Sequence, residues 1–463
     1  MREYSVRQII EATKGKLLCG DENALVLVKD VVIDSRKAHP GALFVPIIGE
    51  KNDAHQFLPS VAEAGCKVSL VSKKEVSISE GMTYILVEDT LKALQDIAYA
   101  YRKEYIHIPL IGITGSVGKT TTREMVAAAL SGGYQVFKTP ANFNSQIGVP
   151  LTLFSIPEDA QIGVIEMGIS EPGEMTKISR LVAPDSAVMT NIGVAHIEQL
   201  GSRENICVEK YHICDYMNAE GTLFLNADDD LLSKIKSERK IVYFGKNQVS
   251  NISMENGLAK FVAKIDQKEV NVELSVYGKH QIGNALAALS VANCYGVDLV
   301  AAAEKLKEFH GFSHRQQIFR KDALTIIDDT YNASPVSMNG AVDILEDIVP
   351  AVGGRKIAVL ADMKELGEDA KKMHYECGEY LGKKNIHILV HLGELSKEIE
   401  RGFLHIQPKG EVYGFLDREK MDQFLRNFIR SKDVLLFKAS NSMHLSKSIE
   451  ELLQNELICR CDH

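Results

Sequence analysis

The chain has 463 residues, 45% of them apolar, which at roughly 150 residues per domain predicts about three domains with separate cores. Its 53 basic and 62 acidic residues leave a net charge of -9, which excludes broad electrostatic binding of nucleic acid and requires any anionic ligand to be held by a local site. No apolar run approaches membrane-spanning length and Met1-Arg2-Glu3-Tyr4 opens no signal peptide, so a cytoplasmic protein without membrane insertion is expected. The 8 cysteines contain no C-x-x-C pair, and Cys459-Arg460-Cys461 is too isolated to be a metal site; reduced thiols are expected.

In chain order, residues 1–87 form a first segment, closed by a helix that Thr90 can cap. In that helix Leu91, Leu94, Ala98 and Tyr101 recur at helical spacing until Pro109 stops the pattern, which makes 88–108 a connector into a central unit, 88–313. The apolar run Ile108 to Ile113 then enters Thr114-Gly115-Ser116-Val117-Gly118-Lys119-Thr120-Thr121. A strand running into a glycine-rich turn that ends in Gly-Lys-Thr is a phosphate cradle. Its backbone N–H groups converge on phosphate oxygens, the helix start adds positive charge, Lys119 reaches the β/γ-phosphates, and the Thr120 hydroxyl can ligate Mg²⁺. Ile113 stands where the strict P-loop pattern asks for glycine.

Two more strands, Ile162 to Glu166 and Ala187 to Ile192, end in chemistry-bearing residues. Glu166 at a strand tip beside a phosphate loop is placed to hold Mg²⁺, although such a glutamate is usually solvated surface. His196 follows the third strand, and Lys210 comes fourteen residues later on a helix that Ser202 can cap. A lone histidine is more often structural, and a lone helix lysine nearly always faces water. Helices over Asn284–Tyr295 and Leu299–Phe309 lead to a small-residue break at Gly311-Phe312-Ser313. Beyond it, in 314–463, strands are expected at Leu324–Ile327, Ile357–Leu360, Ile386–Leu392 and Val434–Phe437. Strands alternating with helices predict an α/β fold of three domains: a smaller N-terminal α/β domain, a central P-loop ATPase domain with a mostly parallel sheet, and a Rossmann-like C-terminal domain. Ligands of such sheets gather at the carboxyl ends of the strands.

The order Gly-Lys-Thr-Thr, Glu-Met-Gly at 166–168, Asn-Ile-Gly-x-x-His at 191–196, Lys210, and Tyr277-Gly278-Lys279-His280-Gln281-Ile282-Gly283-Asn284 resembles the central domain of the Mur ligase family. The resemblance implies ATP bound by Gly115, Ser116, Val117, Gly118, Lys119, Thr120, Thr121 and Asn284. It also implies two Mg²⁺ ions held by Thr120, Glu166, His196 and a carbamylated Lys210, with Lys119, Glu166, His196 and Lys210 as the catalytic set. An ammonium beside two cations would repel them, whereas a carbamate offers anionic oxygens.

The outer segments resemble one branch of that family. Asp34-Ser35-Arg36, Pro40 to Val45 and Gly49-Glu50-Lys51-Asn52-Asp53-Ala54-His55-Gln56-Phe57 look like its uridine-nucleotide domain, and Thr139 to Pro150 like its substrate loop. These imply substrate contacts from Ser35, Arg36, Asn52, His55, Asn142 and Asn144. Asp328-Asp329-Thr330-Tyr331-Asn332-Ala333-Ser334-Pro335 and Leu360 to Gly367 are similar to the branch that joins D-alanyl-D-alanine to UDP-N-acetylmuramoyl-tripeptide. Arg315, Asp329 and Asn332 would complete the nucleotide and dipeptide site across a hinge near Gly311–His314, in a monomer. The implied reaction is phosphorylation of the tripeptide carboxylate by ATP, then attack of the dipeptide amine. Ala54, Ser145, His314 and Asn441 depart from the family pattern, which has glycine, asparagine, glycine and arginine there. A paralogue with another acceptor, a folylpolyglutamate-synthetase-like ligase, an unrelated P-loop kinase or GTPase, and a non-enzymatic binding paralogue are the alternatives.

Overall fold

The structure, a computed structural model, describes residues 1–22, 26–49, 52–255 and 257–454. Glu50 and Lys51 of the first motif and the Cys459–Cys461 pair lie outside the described residues. The six cysteines within them are free.

Three sheets follow one another along the chain. The first orders its strands Lys16–Cys19, Thr83–Leu86, Val68–Val71, Ala42–Phe44, Asp30–Val32, parallel except for the antiparallel edge at Lys16–Cys19. The second has six parallel strands in the order Lys240–Phe244, Thr222–Asn226, Ser186–Met189, Leu110–Thr114, Ile162–Glu166, Val136–Lys138. The third orders Gln317–Lys321, Leu324–Asp329, Val434–Lys438, Lys356–Ala361, Ile388–Leu392, Glu411–Phe415, again parallel except for its first strand. The inner strands read as continuous apolar runs because helices cover both faces. Leu110–Thr114 is buried along its whole length.

In the second sheet the chain leaves Leu110–Thr114 for the Val136–Lys138 edge and returns through Ile162–Glu166. It then crosses to Ser186–Met189 on the other side. The carboxyl end of Leu110–Thr114 is therefore a topological switch point, where an open crevice forms. The turn after this strand is the glycine-rich one, so topology and motif coincide.

Three sequence expectations change. The Thr90–Tyr105 helix is capped by Asp89, whose carboxylate accepts from the N–H groups of Leu91 and Lys92, while the Thr90 hydroxyl donates to Pro46 O at 2.6 Å. Thr90 is thus the first helical residue, and its hydroxyl ties the helix to the N-terminal sheet. The helix is also more than a connector: Leu94, Ile97, Ala98 and Tyr101 share one apolar core with Leu43 and Leu70 of the first sheet and Val149, Ile178 and Ala187 of the second unit. The expected strand Ala187–Ile192 ends at Met189 because Thr190 and Asn191 turn away to hold the phosphate loop.

An element unforeseen in the sequence is the antiparallel sheet Val249–Glu255, Leu258–Ile265, Lys268–Tyr277. Its period-two signal was present: Val270, Val272, Leu274 and Val276 are buried against the Gln281–Cys294 and Leu299–Lys307 helices. Among the described residues no helix is long and apolar enough to cross a membrane.

Candidate active site

Gly115 opens the phosphate loop with φ +149°, and a Cβ there would collide with the Thr190 hydroxyl, so only glycine fits. Gly118, at φ +82°, is the N-cap of the Lys119–Leu130 helix and leaves that helix start free of a side-chain cap. The loop is braced from the neighbouring strand end. Val117 N donates to Asn191 Oδ1 at 2.9 Å, Ser116 N to Asn191 O at 3.0 Å, and the Thr190 hydroxyl to Val117 O at 2.8 Å. Lys119 Nζ folds back onto Gly115 O at 2.8 Å. Burial lowers the Lys119 pKa; Arg315 acts in the same sense and Glu166 opposes it. The Ser116 hydroxyl is buried without a hydrogen-bond partner among the described residues. A cradle with an unpartnered hydroxyl and a lysine resting on its own carbonyls is built for an anion it can rearrange around.

Glu166 ends its strand 1% exposed, which removes the reading of a solvated glutamate. Its Oε1 accepts from the Thr120 hydroxyl at 3.1 Å and from Asn144 Nδ2 at 2.7 Å, and its Oε2 from Arg123 Nη1 at 3.1 Å. The hydroxyl and carboxylate that would share a hard cation are thus in contact.

His196 lies on the other side, at φ +62°, and pairs through Nδ1 with Glu365 Oε2 at 2.8 Å, a contact between the central and C-terminal parts. Burial lowers its pKa, Lys119 and Lys210 add to that, and Glu365 opposes. Lys210, on the Arg203–Tyr211 helix that Ser202 caps as expected, is 1% exposed. It has no hydrogen-bond or ion-pair partner among the described residues. Burial holds its pKa well below the ordinary lysine value, and Lys119 pushes the same way. Its charge lowers the pKa of the cleft residue His196, although Lys210 does not itself line the cleft. Among the described residues no group of three or more His, Cys, Asp or Glu side chains gathers as a metal cage; of the four residues expected to hold metal, Thr120, Glu166 and His196 line one cleft.

The cleft measures 520 Å³ and lies between the second and third sheets. From the loop side it is lined by Ser116 to Thr121, Asn144, Glu166 and His196, and Asn284 stands against Gly118 with its Oδ1 accepting from the Thr122 hydroxyl at 3.0 Å. Arg315, Asp329 and Asn332 line the opposite wall. The Arg315 guanidinium stacks on Tyr331 at 3.8 Å, and its buried Nε has no partner among the described residues. Asp329 is held by Lys438 Nζ at 2.6 Å. Sequence reasoning missed Lys438, Arg123 and Asn191 as site residues. The signal for Asn191 lay in Asn-Ile-Gly and that for Lys438 in its place at the carboxyl end of the expected Val434–Phe437 strand, and nothing local marked Arg123.

The residues expected to hold substrate are spread more widely. Asn144 lines the cleft, whereas Asn142, exposed, does not. Arg36 is exposed and forked onto Asp34 at 2.7 Å, which lowers the Asp34 pKa to about 2; Ser35 begins the short helix that Asp34 caps. Asn52 is exposed. His55 is buried, with Nδ1 on Asp53 at 2.6 Å and Nε2 accepting from Ser72 N at 3.0 Å, so both ring nitrogens are engaged in holding the local fold. Two departures gain a reason. His314 adopts φ +62°, where glycine is strain-free, and is held there by Asp328 at 2.8 Å. The Ser145 hydroxyl accepts from Gly148 N at 3.3 Å at the start of the next helix.

A parallel sheet with a phosphate loop at its switch point, faced across a cleft by Arg315 and by Asp329 of a second, mostly parallel sheet, defines a nucleotide-dependent enzyme whose site is shared between two units. Residues 113–292 match the Mur ligase middle domain and residues 314–441 the Mur ligase glutamate ligase domain. The UDP-N-acetylmuramoyl-tripeptide--D-alanyl-D-alanine ligase of Bacillus subtilis (strain 168) is 35% identical over 462 residues, 99% of this chain and 100% of that one. Among solved structures, MurF from Acinetobacter baumannii superposes with a TM-score of 0.90 at 29% identity, covering 98% of this chain and 100% of that one. The MurF ligase of Thermotoga maritima in complex with ADP does so with a TM-score of 0.80 at 28% identity, over 93% and 98%. The chain belongs to the Mur ligase family.

Proposed function

We propose that the protein is the ATP-dependent ligase that joins D-alanyl-D-alanine to UDP-N-acetylmuramoyl-tripeptide, giving the pentapeptide precursor of peptidoglycan. The observation that carries this is likeness along the whole chain to ligases of that name, including the first hundred residues, where a folylpolyglutamate-type enzyme would diverge. Residues 1–87 take the uridine nucleotide, 88–313 hold ATP, and 314–463 bring the dipeptide.

A carboxylate is a poor electrophile, so ATP first transfers its γ-phosphoryl group to the tripeptide carboxylate, and the dipeptide amine then displaces phosphate from the acyl phosphate. Lys119 swings from Gly115 O to the transferring group, the loop N–H groups hold the β-phosphate, and Arg315 meets the charge from the opposite wall. Thr120 is fitted to hold one Mg²⁺, with Glu166, His196 and a carbamylated Lys210 for a second ion, and the ions would neutralise phosphoryl charge. The carbamate is supported by the burial of Lys210, its lack of a partner and its depressed pKa, since only the neutral amine adds carbon dioxide. Glu365 must release His196 for that arrangement. The reaction belongs in the cytoplasm, where ATP and nucleotide precursors are available.

The test is a mass-spectrometric assay with ATP, Mg²⁺, UDP-tripeptide and a panel of dipeptides. A product of UDP-tripeptide plus D-alanyl-D-alanine less water is expected. Product with another dipeptide only would assign a paralogue, to which Asn441 in place of arginine on the cleft wall would contribute. Binding of ATP and UDP-tripeptide without product from any dipeptide would make the protein a non-enzymatic binder.

A further inference from the structure

Arg123 follows Lys119 by one turn of the phosphate-loop helix, yet it is only 3% exposed. Its guanidinium reaches three segments. Nη1 donates to Glu166 Oε2 at 3.1 Å and to Ala141 O at 2.9 Å, while Nε and Nη2 donate to Glu124 Oε1 at 3.2 and 2.5 Å. Ala141 sits at φ +45°, an uncommon conformation for alanine that persists where the surroundings over-determine it. The same loop grips Glu166 at two further points: Glu166 N donates to Thr139 Oγ1 at 2.9 Å, and Asn144 Nδ2 donates to Glu166 Oε1 at 2.7 Å.

A buried guanidinium must be paired and its donors satisfied to be tolerated; Glu124 takes Nε and Nη2, and Nη1 is left for Glu166 and Ala141. The additional bonds divide the two oxygens of Glu166 between tasks. Oε2 is committed to Arg123, so Oε1 is the oxygen turned toward the Thr120 hydroxyl and the cleft. A planar fork can hold a carboxylate and a carbonyl at once, which a lysine's point charge does less well.

We propose that Arg123 is a positioning residue for the ligation: it holds Glu166 with Oε1 toward the phosphate loop and ties the 139–146 loop to that carboxylate. Seating of the UDP-linked substrate on the loop and presentation of Glu166 then become one event. The substrate half of this rests on the function proposed above; the tie itself does not.

The test compares Arg123→Met and Arg123→Lys by hydrogen exchange of ligand-free protein, steady-state kinetics, and ADP binding in EDTA. In Arg123→Met, exchange across residues 139–146 should rise about tenfold while the C-terminal sheet keeps its protection. kcat should fall about thirtyfold or more, and ADP affinity should stay within about twofold because Arg123 does not touch the cradle. Arg123→Lys should fall between wild type and Arg123→Met in exchange and in kcat. Unchanged exchange at 139–146 with kcat within about twofold overturns the proposal, and Arg123→Lys decides by the same criterion if Arg123→Met does not fold. Exchange rising equally in every segment, with kcat following the folded fraction, also overturns it. A wild-type protein inactive on UDP-tripeptide whose 139–146 exchange still responds to Arg123→Met would defeat the functional reading and leave the tie standing.

Discussion

Lys119 and Lys210 occupy one electrostatic neighbourhood, and burial lowers the pKa of both. They differ in what they touch: Lys119 donates to loop carbonyls at the cleft, and Lys210 has no hydrogen-bond or ion-pair partner among the described residues. Lys119→Ala should fold normally and lose about 3 kcal/mol of transition-state stabilisation, roughly a hundredfold in turnover, measured under saturating ATP. Near-normal turnover would remove the assigned role. Lys210→Ala should lose most of its activity and regain part of it when a small carboxylic acid enters the vacated space, an addition that should do nothing for Lys119→Ala. Carbon-13 NMR under labelled bicarbonate should show an adduct that Lys210→Ala lacks. Full activity of Lys210→Ala without added acid would end the carbamate reading.

Among elements, the Thr90–Tyr105 helix carries the joint core of the first two units, so its start is a sensitive point. Asp89→Ala removes the cap to Leu91 and Lys92 and should cost about 1 kcal/mol in urea unfolding. An unchanged midpoint would show that tertiary packing alone sets the helix start. In the C-terminal part, burial keeps His374 and His391 neutral below the usual histidine range. His374 needs that state, since its Nε2 accepts from Met363 N at 2.9 Å. The unfolded chain protonates these histidines near pH 6.5 and the native one only lower. Their stability contribution is thus complete above pH 6.5 and declines as pH falls toward the depressed native values. Unfolding midpoints at pH 7.5 and 5.5 should show this loss, and His374→Gln should flatten it; an equal slope in that variant would place the titration elsewhere.

At the scale of the whole molecule, function is divided between surfaces far apart in sequence. Arg36 is exposed and stands outside the cleft. Arg36→Ala should therefore weaken UDP-tripeptide binding about tenfold and leave ADP binding unchanged in paired titrations. Equal loss of both affinities would show that the N-terminal unit has been given the wrong task. The chain turns between the second and third sheets where Gly311, His314 and Gln316 all take positive φ within six residues. Gln316 reaches the central unit through a 2.7 Å hydrogen bond from Gln281, and Glu365 reaches His196. The segment that turns the chain between sheets is also the one that places Arg315 on the cleft wall.

What the sequence determined by itself is what short-range rules encode. A glycine-rich turn between an apolar strand and a helix has one common use, and alternating apolar runs and helices permit little besides parallel sheets. Gly115 through Thr121, the strand ending at Glu166 and the Ser202 cap were legible for that reason. Strand ends and caps were less so, because Met189 and Asp89 are decided by what the next residues bond to. Tertiary structure alone decided that Glu166 is buried, that Lys210 is unpartnered among the described residues, that His55 is locked, that Arg123 stands behind the site and that Lys438 holds Asp329 in its wall. Burial and pairing of a charged side chain depend on segments that meet only after folding; Arg123 meets Ala141 and Glu166 from three separate elements, and no spacing along the chain records that encounter.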